Sequence, residues 1–251
     1  MTAYAGPYEG NGMWKSFTKT WHSESYPQIS PANPELQATD KVIFITGGGT
    51  GIGKATAIAF AQAGAGAVVI FGRRTSKLES AVEEIREAAT NPDFKAIFRS
   101  VDLSQEAATT DGFVDALSEA GARAVDVFIS NAASAHQFGS LVGYDASKFR
   151  ANIELNAMCT FNSIQAALPL LAPEAKVIDV NSGIGHIRPV PQVWMYASIK
   201  AMNIKIFSYL QVEKPGLSVF SLQPGVIATE LSASSGFAAQ DDGKCGALSG
   251  V

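Results

Sequence analysis

The chain has 251 residues, is 47% hydrophobic and carries a net charge of −4 with a pI of about 5.4. That length supports one domain with a sizeable core, and the acidic balance excludes the basic footprint of a nucleic-acid binder. Cys159 and Cys245 are too few for a disulfide framework, no signal peptide opens the chain and no apolar run reaches the ~18 residues of a membrane span, so the reading is a soluble cytoplasmic protein.

Residues 1–40 stand apart, with Pro7, Pro27, Pro31 and Pro34 among Tyr4, Tyr8, Trp14, Phe17, Trp21 and Tyr26. Proline-rich polar text predicts an extended arm. Its aromatics gain from burial, which predicts that it partly wraps the body or a partner subunit.

From Lys41 the pattern alternates. Strands are expected at Val42–Thr46, Ala67–Phe71, Lys95–Val101, Val125–Ser130, Lys176–Asn181 and Leu217–Leu222. Helices are expected over Gly51–Ala63, Thr75–Ala89, Gln105–Ala120, Ala146–Leu171 and Trp194–Val212. Apolar strands alternating with helices predict an α/β fold, a doubly wound parallel sheet covered on both faces. The expected division is an arm over 1–40, a dinucleotide-binding catalytic domain over 41–231 and a short irregular tail over 232–251.

The first strand runs into Thr46-Gly-Gly-Gly-Thr-Gly-Ile-Gly53, which opens the first helix. Glycines at such a turn permit positive φ and let the backbone approach a pyrophosphate, while the helix N-terminus offers free N–H groups. Gly47, Thr50, Gly51, Ile52 and Gly53 are therefore cofactor candidates. The text Gly48-x4-Gly53-Lys54 also resembles a nucleotide triphosphatase P-loop, but Ala55 stands where Ser or Thr should bind Mg²⁺.

About twenty residues past the glycines, dinucleotide folds place an acid on the ribose 2′-hydroxyl. This chain has Gly72 there, followed by Arg73 and Arg74. Guanidinium groups pair with a 2′-phosphate that a carboxylate would repel. The expectation is NADP(H), with Arg73 the leading contact.

With the glycine loop, Ser182, Tyr196 and Lys200 in this order, residues 41–231 resemble the short-chain dehydrogenase/reductase superfamily. The resemblance implies further roles. Asp102-Leu103 looks like the adenine-contacting pair, with helix capping as the alternative use of Asp102. Asn131-Ala132 is similar to part of the family's Asn-Asn-Ala-Gly. Asn156 matches the helix asparagine that holds a proton-relay water, and Pro224-Gly225-Val-Ile227-Ala-Thr229 matches the loop over the nicotinamide. It also implies a possible homodimer through the helices carrying Asn156 and Tyr196.

Carbonyl reduction needs a proton donor to oxygen near neutral pH, and a free tyrosine, with a pKa of about 10, is poorly matched. A cation one helical turn away lowers that value. Tyr196 and Lys200 have the required spacing, and Ser182, at the end of Val177-Ile-Asp-Val-Asn181, can bond the same oxygen. Tyr144 and Lys148 share the spacing but precede Asn156, with no serine-ended strand before them. They are assigned a surface role, with Asp145 a helix cap. His22, His136 and His186 are isolated in the sequence, which points to ordinary loop residues rather than a metal trio. Ile187, Val190, Val193 and Trp194 beside His186 predict an apolar substrate pocket.

After Thr229 the family's covering helix, further helix and seventh strand are missing. The expectation is therefore an NADP(H)-dependent oxidoreductase acting on a small apolar ketone or secondary alcohol. The alternative is a truncated or inactive NADP(H)-binding scaffold without turnover.

Overall fold

All five residues of the central strand β1 (Val42–Thr46) are buried. A strand covered on both faces reads as a continuous apolar run, and Val42-Ile-Phe-Ile-Thr46 is such a run. In the computed structural model, residues 25–134, 138–187, 189–225 and 227–231 are described. Most of the arm's aromatics, His22, His136 and the tail over 232–251 lie outside these residues.

Around β1 the chain folds in alternation: α1 (Gly51–Gln62), β2 (Ala67–Gly72), α2 (Thr75–Glu87), β3 (Lys95–Ser100), α3 (Glu106–Ala120) and β4 (Val125–Ser130). Then follow α4 (Ala146–Asn152), a π-helical stretch (Ile153–Met158), α5 (Cys159–Ala167), β5 (Leu171–Val180), α6 (Trp194–Glu213) and β6 (Ser218–Leu222). All neighbouring strands are parallel, in the order β3-β2-β1-β4-β5-β6. The order reverses between β1 and β4. In open α/β sheets that switch point leaves a crevice at the strand carboxyl ends, where ligands bind.

Side chains alternate across the sheet and feed two cores. On one face Ile43, Ile45, Val68 and Ile70 pack with Ala57 and Ala61 of α1 and Leu78 and Ile85 of α2. On the other, Phe44, Phe71 and Phe128 pack with Phe113 of α3, Ile164 of α5 and Phe207 of α6. Phe71 stacks on Phe113 with centroids 4.1 Å apart, and Phe44 meets Phe113 edge-on at 5.6 Å. Each fully buried aromatic of this kind contributes roughly 1.5–3 kcal/mol through burial.

Two expected elements differ. The helix predicted over Ala146–Leu171 is interrupted by the π-helical stretch, and its α-helical part ends at Ala167 in a 3₁₀ turn, Leu168–Leu170, around Pro169. Proline lacks the N–H that would continue the ladder. The fifth strand begins at Leu171 rather than Lys176: Val125 pairs with Leu171, but Val127 pairs with Lys176. The intervening residues include Pro173, which cannot donate to the sheet, so the ladder slips before the regular register starts.

Residues 25–40 reach the body through buried Ala38 and a bridge from Thr39 to Ala65, at the N-terminal end of β2 and away from the crevice. Among the described residues β6 is an end strand, with Phe220 and Leu222 exposed, and no helix is long and apolar enough to cross a membrane.

Candidate active site

The crevice is built on a clip between β1 and β4. The Thr46 hydroxyl accepts from the backbone N–H groups of Asn131 (2.9 Å) and Ala132 (3.0 Å). The Asn131 amide donates to the carbonyls of Thr46 (2.9 Å) and Gly47 (3.2 Å). The glycine loop is thus held from below by the neighbouring strand. Gly47 has φ +69°, and a Cβ there would stand 2.8 Å from the Cα of Ala132. At Gly53 a Cβ would lie 2.4 Å from the Gly47 carbonyl oxygen and 2.5 Å from the Asn131 amide nitrogen. The loop can close this tightly only without side chains at those positions.

Thr50 precedes α1 without a side-chain cap bond, so the first-turn N–H groups face the crevice uncapped by it. Lys54, the lysine of the P-loop-like text, is turned away. Its ammonium bonds both carboxylate oxygens of Glu84 on α2, at 2.7 and 3.0 Å. It is committed to the flank of the fold and does not serve as a phosphate-reaching lysine.

A cavity of about 450 Å³ opens above the clip, lined by the glycine loop and by the residues that end β2, β3 and β4. Gly47, Thr50, Gly51, Ile52, Arg73, Arg74, Asp102, Leu103, Asn131, Ala132 and Thr229 all line it. Gly53 lies beneath the loop, and Ile227 is outside the lining. The Asp102 carboxylate also accepts from the backbone N–H of Ser104 at 3.1 Å, so it shapes its own turn as well as the wall. Cys159 completes one side. Burial pushes its thiol up to about 11, helped by the Asp102 charge, so it is a neutral wall group.

Ser182, Tyr196, Lys200 and Asn156 are not among the residues that line this cavity. Asn156 adjoins it: its side-chain oxygen accepts from the backbone N–H of Ser134, a lining residue, at 2.8 Å, and its amide donates to the Asn152 carbonyl at 3.2 Å. Ser182 ends the β5 run, and its hydroxyl hydrogen-bonds with Tyr196 of α6. The Lys200 ammonium is 5.9 Å from the Tyr196 ring centroid and donates to the Val180 carbonyl at 2.9 Å.

The electrostatics differ from the sequence expectation. Burial raises the Tyr196 phenol above its ordinary value, and the hydrogen bond with Ser182 acts the other way. Lys200 does not bring it down. Lys200 is itself buried, and burial lowers its ammonium pKa while the Asp179 carboxylate supports its charge. Burial disfavours the Tyr196 phenolate directly, and that penalty sets the direction of the shift despite the neighbouring Lys200.

The family model for short chain dehydrogenase matches residues 41–238. The chain belongs to the short-chain dehydrogenase family. A short chain dehydrogenase of Pseudocercospora fijiensis is 33% identical over 216 residues, 84% of this chain and 67% of that protein. One of Monascus purpureus is 28% identical over 233 residues, 91% of this chain and 77% of that protein. The crystal structure of levodione reductase matches with a TM-score of 0.72 at 26% identity, over 79% of this chain and 76% of that one. An alcohol dehydrogenase from the archaeon Thermococcus sibiricus, complexed with 5-hydroxy-NADP, matches with a TM-score of 0.66 at 26% identity, over 73% and 75%.

In this short-chain dehydrogenase the second tyrosine is not a plain surface residue. The Tyr144 ring meets Trp194 edge-on at 5.0 Å, and Phe149 stacks on Trp194 at 6.2 Å. Trp194 is the first residue of α6, two positions before Tyr196. Asp145 does cap α4, accepting from the N–H groups of Ser147 (2.7 Å) and Lys148 (3.2 Å).

The structure also adds groups that sequence reading passed over. Asp179 is buried beside Lys200 and accepts from Asn181 and Ser221. Burial raises its carboxyl pKa. Its one signal in the text is a charge inside the apolar run Val177-Ile-Asp-Val. Asn162 of α5 donates to the carbonyls of Leu103 (3.0 Å) and Ser104 (2.9 Å), fixing the loop after β3. Nothing in the text marks it.

Proposed function

We propose that the chain is an NADP(H)-dependent oxidoreductase interconverting a ketone and a secondary alcohol on a small apolar substrate, with Tyr196 as general acid and base. The observation that carries this reading is the hydrogen bond between Ser182 and Tyr196, with the buried Lys200 ammonium 5.9 Å from the Tyr196 ring centroid.

The cavity fits a dinucleotide. Its floor excludes side chains at Gly47 and Gly53, and the α1 N-terminus opens toward it. Gly47, Thr50, Gly51 and Ile52 would hold the pyrophosphate, Asp102 and Leu103 the adenine, and Asn131, Ala132, Ile227 and Thr229 the nicotinamide half. Arg73 and Arg74, with no acid at Gly72, support the 2′-phosphate form. The archaeal relative's 5-hydroxy-NADP complex agrees with it. Bound there, the nicotinamide would give or take up the hydride.

The protein's part is the proton. With its pKa raised, Tyr196 is a protonated phenol at neutral pH and can donate to a carbonyl oxygen as negative charge develops. The single O–H of Ser182 can donate either to that oxygen or, once the proton has moved, to the phenolate left on Tyr196. Lys200 adds positive charge behind the ring. Asn156, whose side chain is fixed by bonds with Ser134 and Asn152, would hold the relay water that returns a proton to Tyr196. In the oxidative direction Tyr196 must first lose its proton to solvent, and the phenolate then accepts the alcohol proton.

We further assign the protein as a cytoplasmic homodimer. Exposed Phe161 on α5 and Tyr209 and Val212 on α6 support pairing through those helices. Sedimentation of the purified chain tests it.

The functional test is fluorescence titration with NADPH and NADH, then a panel of apolar ketones followed by loss of NADPH. Tyr196→Phe should abolish turnover while NADPH binding persists. Tight NADPH binding with no turnover of any ketone would favour the scaffold reading.

A further inference from the structure

One carboxylate ties together two cations of the cavity lining. Glu230 pairs with Arg74 through one oxygen and with Lys77 through the other, each at 2.8 Å. Arg74 also reaches the Thr50 hydroxyl at 3.3 Å. Thr229 and Leu231, on either side of Glu230, both line the cavity. A Cβ at Gly51 would be 3.2 Å from the Thr229 methyl, so this segment lies directly on the glycine loop. Arg73, the adjacent cation, makes no ion pair with a described residue.

Arg74 and Lys77 also line the cavity, at the end of β2 and the start of α2. Under the NADP(H) reading, this is where a 2′-phosphate would be held. The carboxylate and a phosphate dianion would therefore seek the same N–H donors. We infer that Glu230 is an internal competitor for the cofactor's 2′-phosphate, so that phosphate binding displaces its carboxylate from Arg74 and Lys77 while Ile227 and Thr229 stay against the cofactor. This inference rests on the NADP(H) reading.

The pairing suits exchange. All three side chains are about half exposed, at 60%, 52% and 48% for Arg74, Glu230 and Lys77. Exposed pairs are individually weak and give way to a stronger anion. The Lys77 and Arg74 bonds hold the Glu230 carboxyl down at about 2, so it remains a charged competitor throughout the neutral range. A cofactor lacking the 2′-phosphate would leave the clasp in place.

The test is fluorescence titration of the full chain, wild type and Glu230→Gln, with NADPH and with NADH. Glu230→Gln should tighten NADPH roughly three- to tenfold and leave NADH unchanged. In an Arg74→Ala background most of that gain should vanish. If wild type prefers NADPH but Glu230→Gln leaves its affinity unchanged or weaker, the carboxylate merely orients the cations. The inference then fails while the NADP(H) reading stands. If neither protein distinguishes NADPH from NADH, both fall. Glu230→Ser, which also removes the charge, must repeat the result, and matching unfolding midpoints exclude a folding artefact.

Discussion

The Asn131 amide reaches back across the β1–β4 seam to the Thr46 carbonyl, 85 positions earlier in the chain, at 2.9 Å. With the Thr46 hydroxyl answering the Asn131 N–H, the two residues form a reciprocal clip under the glycine loop. Asn131→Ala should destabilise the protein by about 1–3 kcal/mol, the range for stranding partly buried partners. It should also weaken dinucleotide binding. Urea denaturation with a parallel NADPH titration measures both. Wild-type values in each would mean that the clip is dispensable.

Gly53→Ala is a sharper probe of the same floor. The added methyl would meet backbone oxygen at 2.4 Å, where no flexible side chain can give way. Dinucleotide binding should fall at least tenfold, with a stability loss on the order of 1–3 kcal/mol from overpacking. Retention of full affinity would show that the loop is not read by close backbone approach.

Cofactor discrimination should reside at the end of β2. Arg73→Ala should raise the KM for NADPH by about tenfold or more, as expected for a lost charge-assisted phosphate contact, and change the KM for NADH little. Equal effects on both cofactors would remove Arg73 from the phosphate site.

Tyr144 predicts a split between ring and hydroxyl. Tyr144→Phe keeps the ring against Trp194 and gives up the long contact from Asn152 to the hydroxyl, at 3.4 Å. It should leave turnover within about twofold, as expected for the loss of one long hydrogen bond away from the reacting groups. Tyr144→Ala removes the support under the first turn of α6, with an aromatic-pair loss of roughly 0.5–1.5 kcal/mol beyond burial. That variant should lower kcat, because Tyr196 stands half a turn away. Loss of activity in Tyr144→Phe itself would make this tyrosine, not Tyr196, the chemical one.

Asp179 sets a pH dependence. Burial is the main cause of its raised carboxyl, against the pull of Asn181 and Lys200. Below the ordinary value of 3.8 the folded and unfolded chains both hold the proton. As pH climbs from there toward the raised native value, the unfolded chain ionises first, and stability drains away through that window. Asp179→Asn should flatten this decline. Denaturant midpoints from pH 4 to pH 8 read it, and an unaltered slope would show that Asp179 does not titrate there.

The strands and their order of succession were legible because parallel strands write themselves as apolar runs, as in Val42–Thr46 and Val68–Phe71. The glycine loop and the cations after Gly72 were legible because their neighbours are close in sequence. Thr46, Asn162 and Glu230 were not. Their partners lie 85, 59 and 156 residues away, and such distances carry no periodic trace. The electrostatics of Tyr196 failed for another reason. Helical spacing reports that Lys200 lies on the same face but not how deeply it is buried, and burial determined the direction.

The π-helical stretch between α4 and α5 makes that part of the chain a counted length. A π turn holds one residue more than the α turn it replaces. Leu155 and Cys159 face the cavity while Asn156 meets Ser134, and this phase depends on the extra residue. Removing one residue from Ile153–Met158 would let the helix run straight. Everything on the α4 side, including the Asp145 cap and the Phe149 contact with Trp194, would then rotate by about 100° relative to α5. Substitutions here are ordinary mutations, whereas a single-residue deletion is a change of gear, turning one wall of the crevice away from the other.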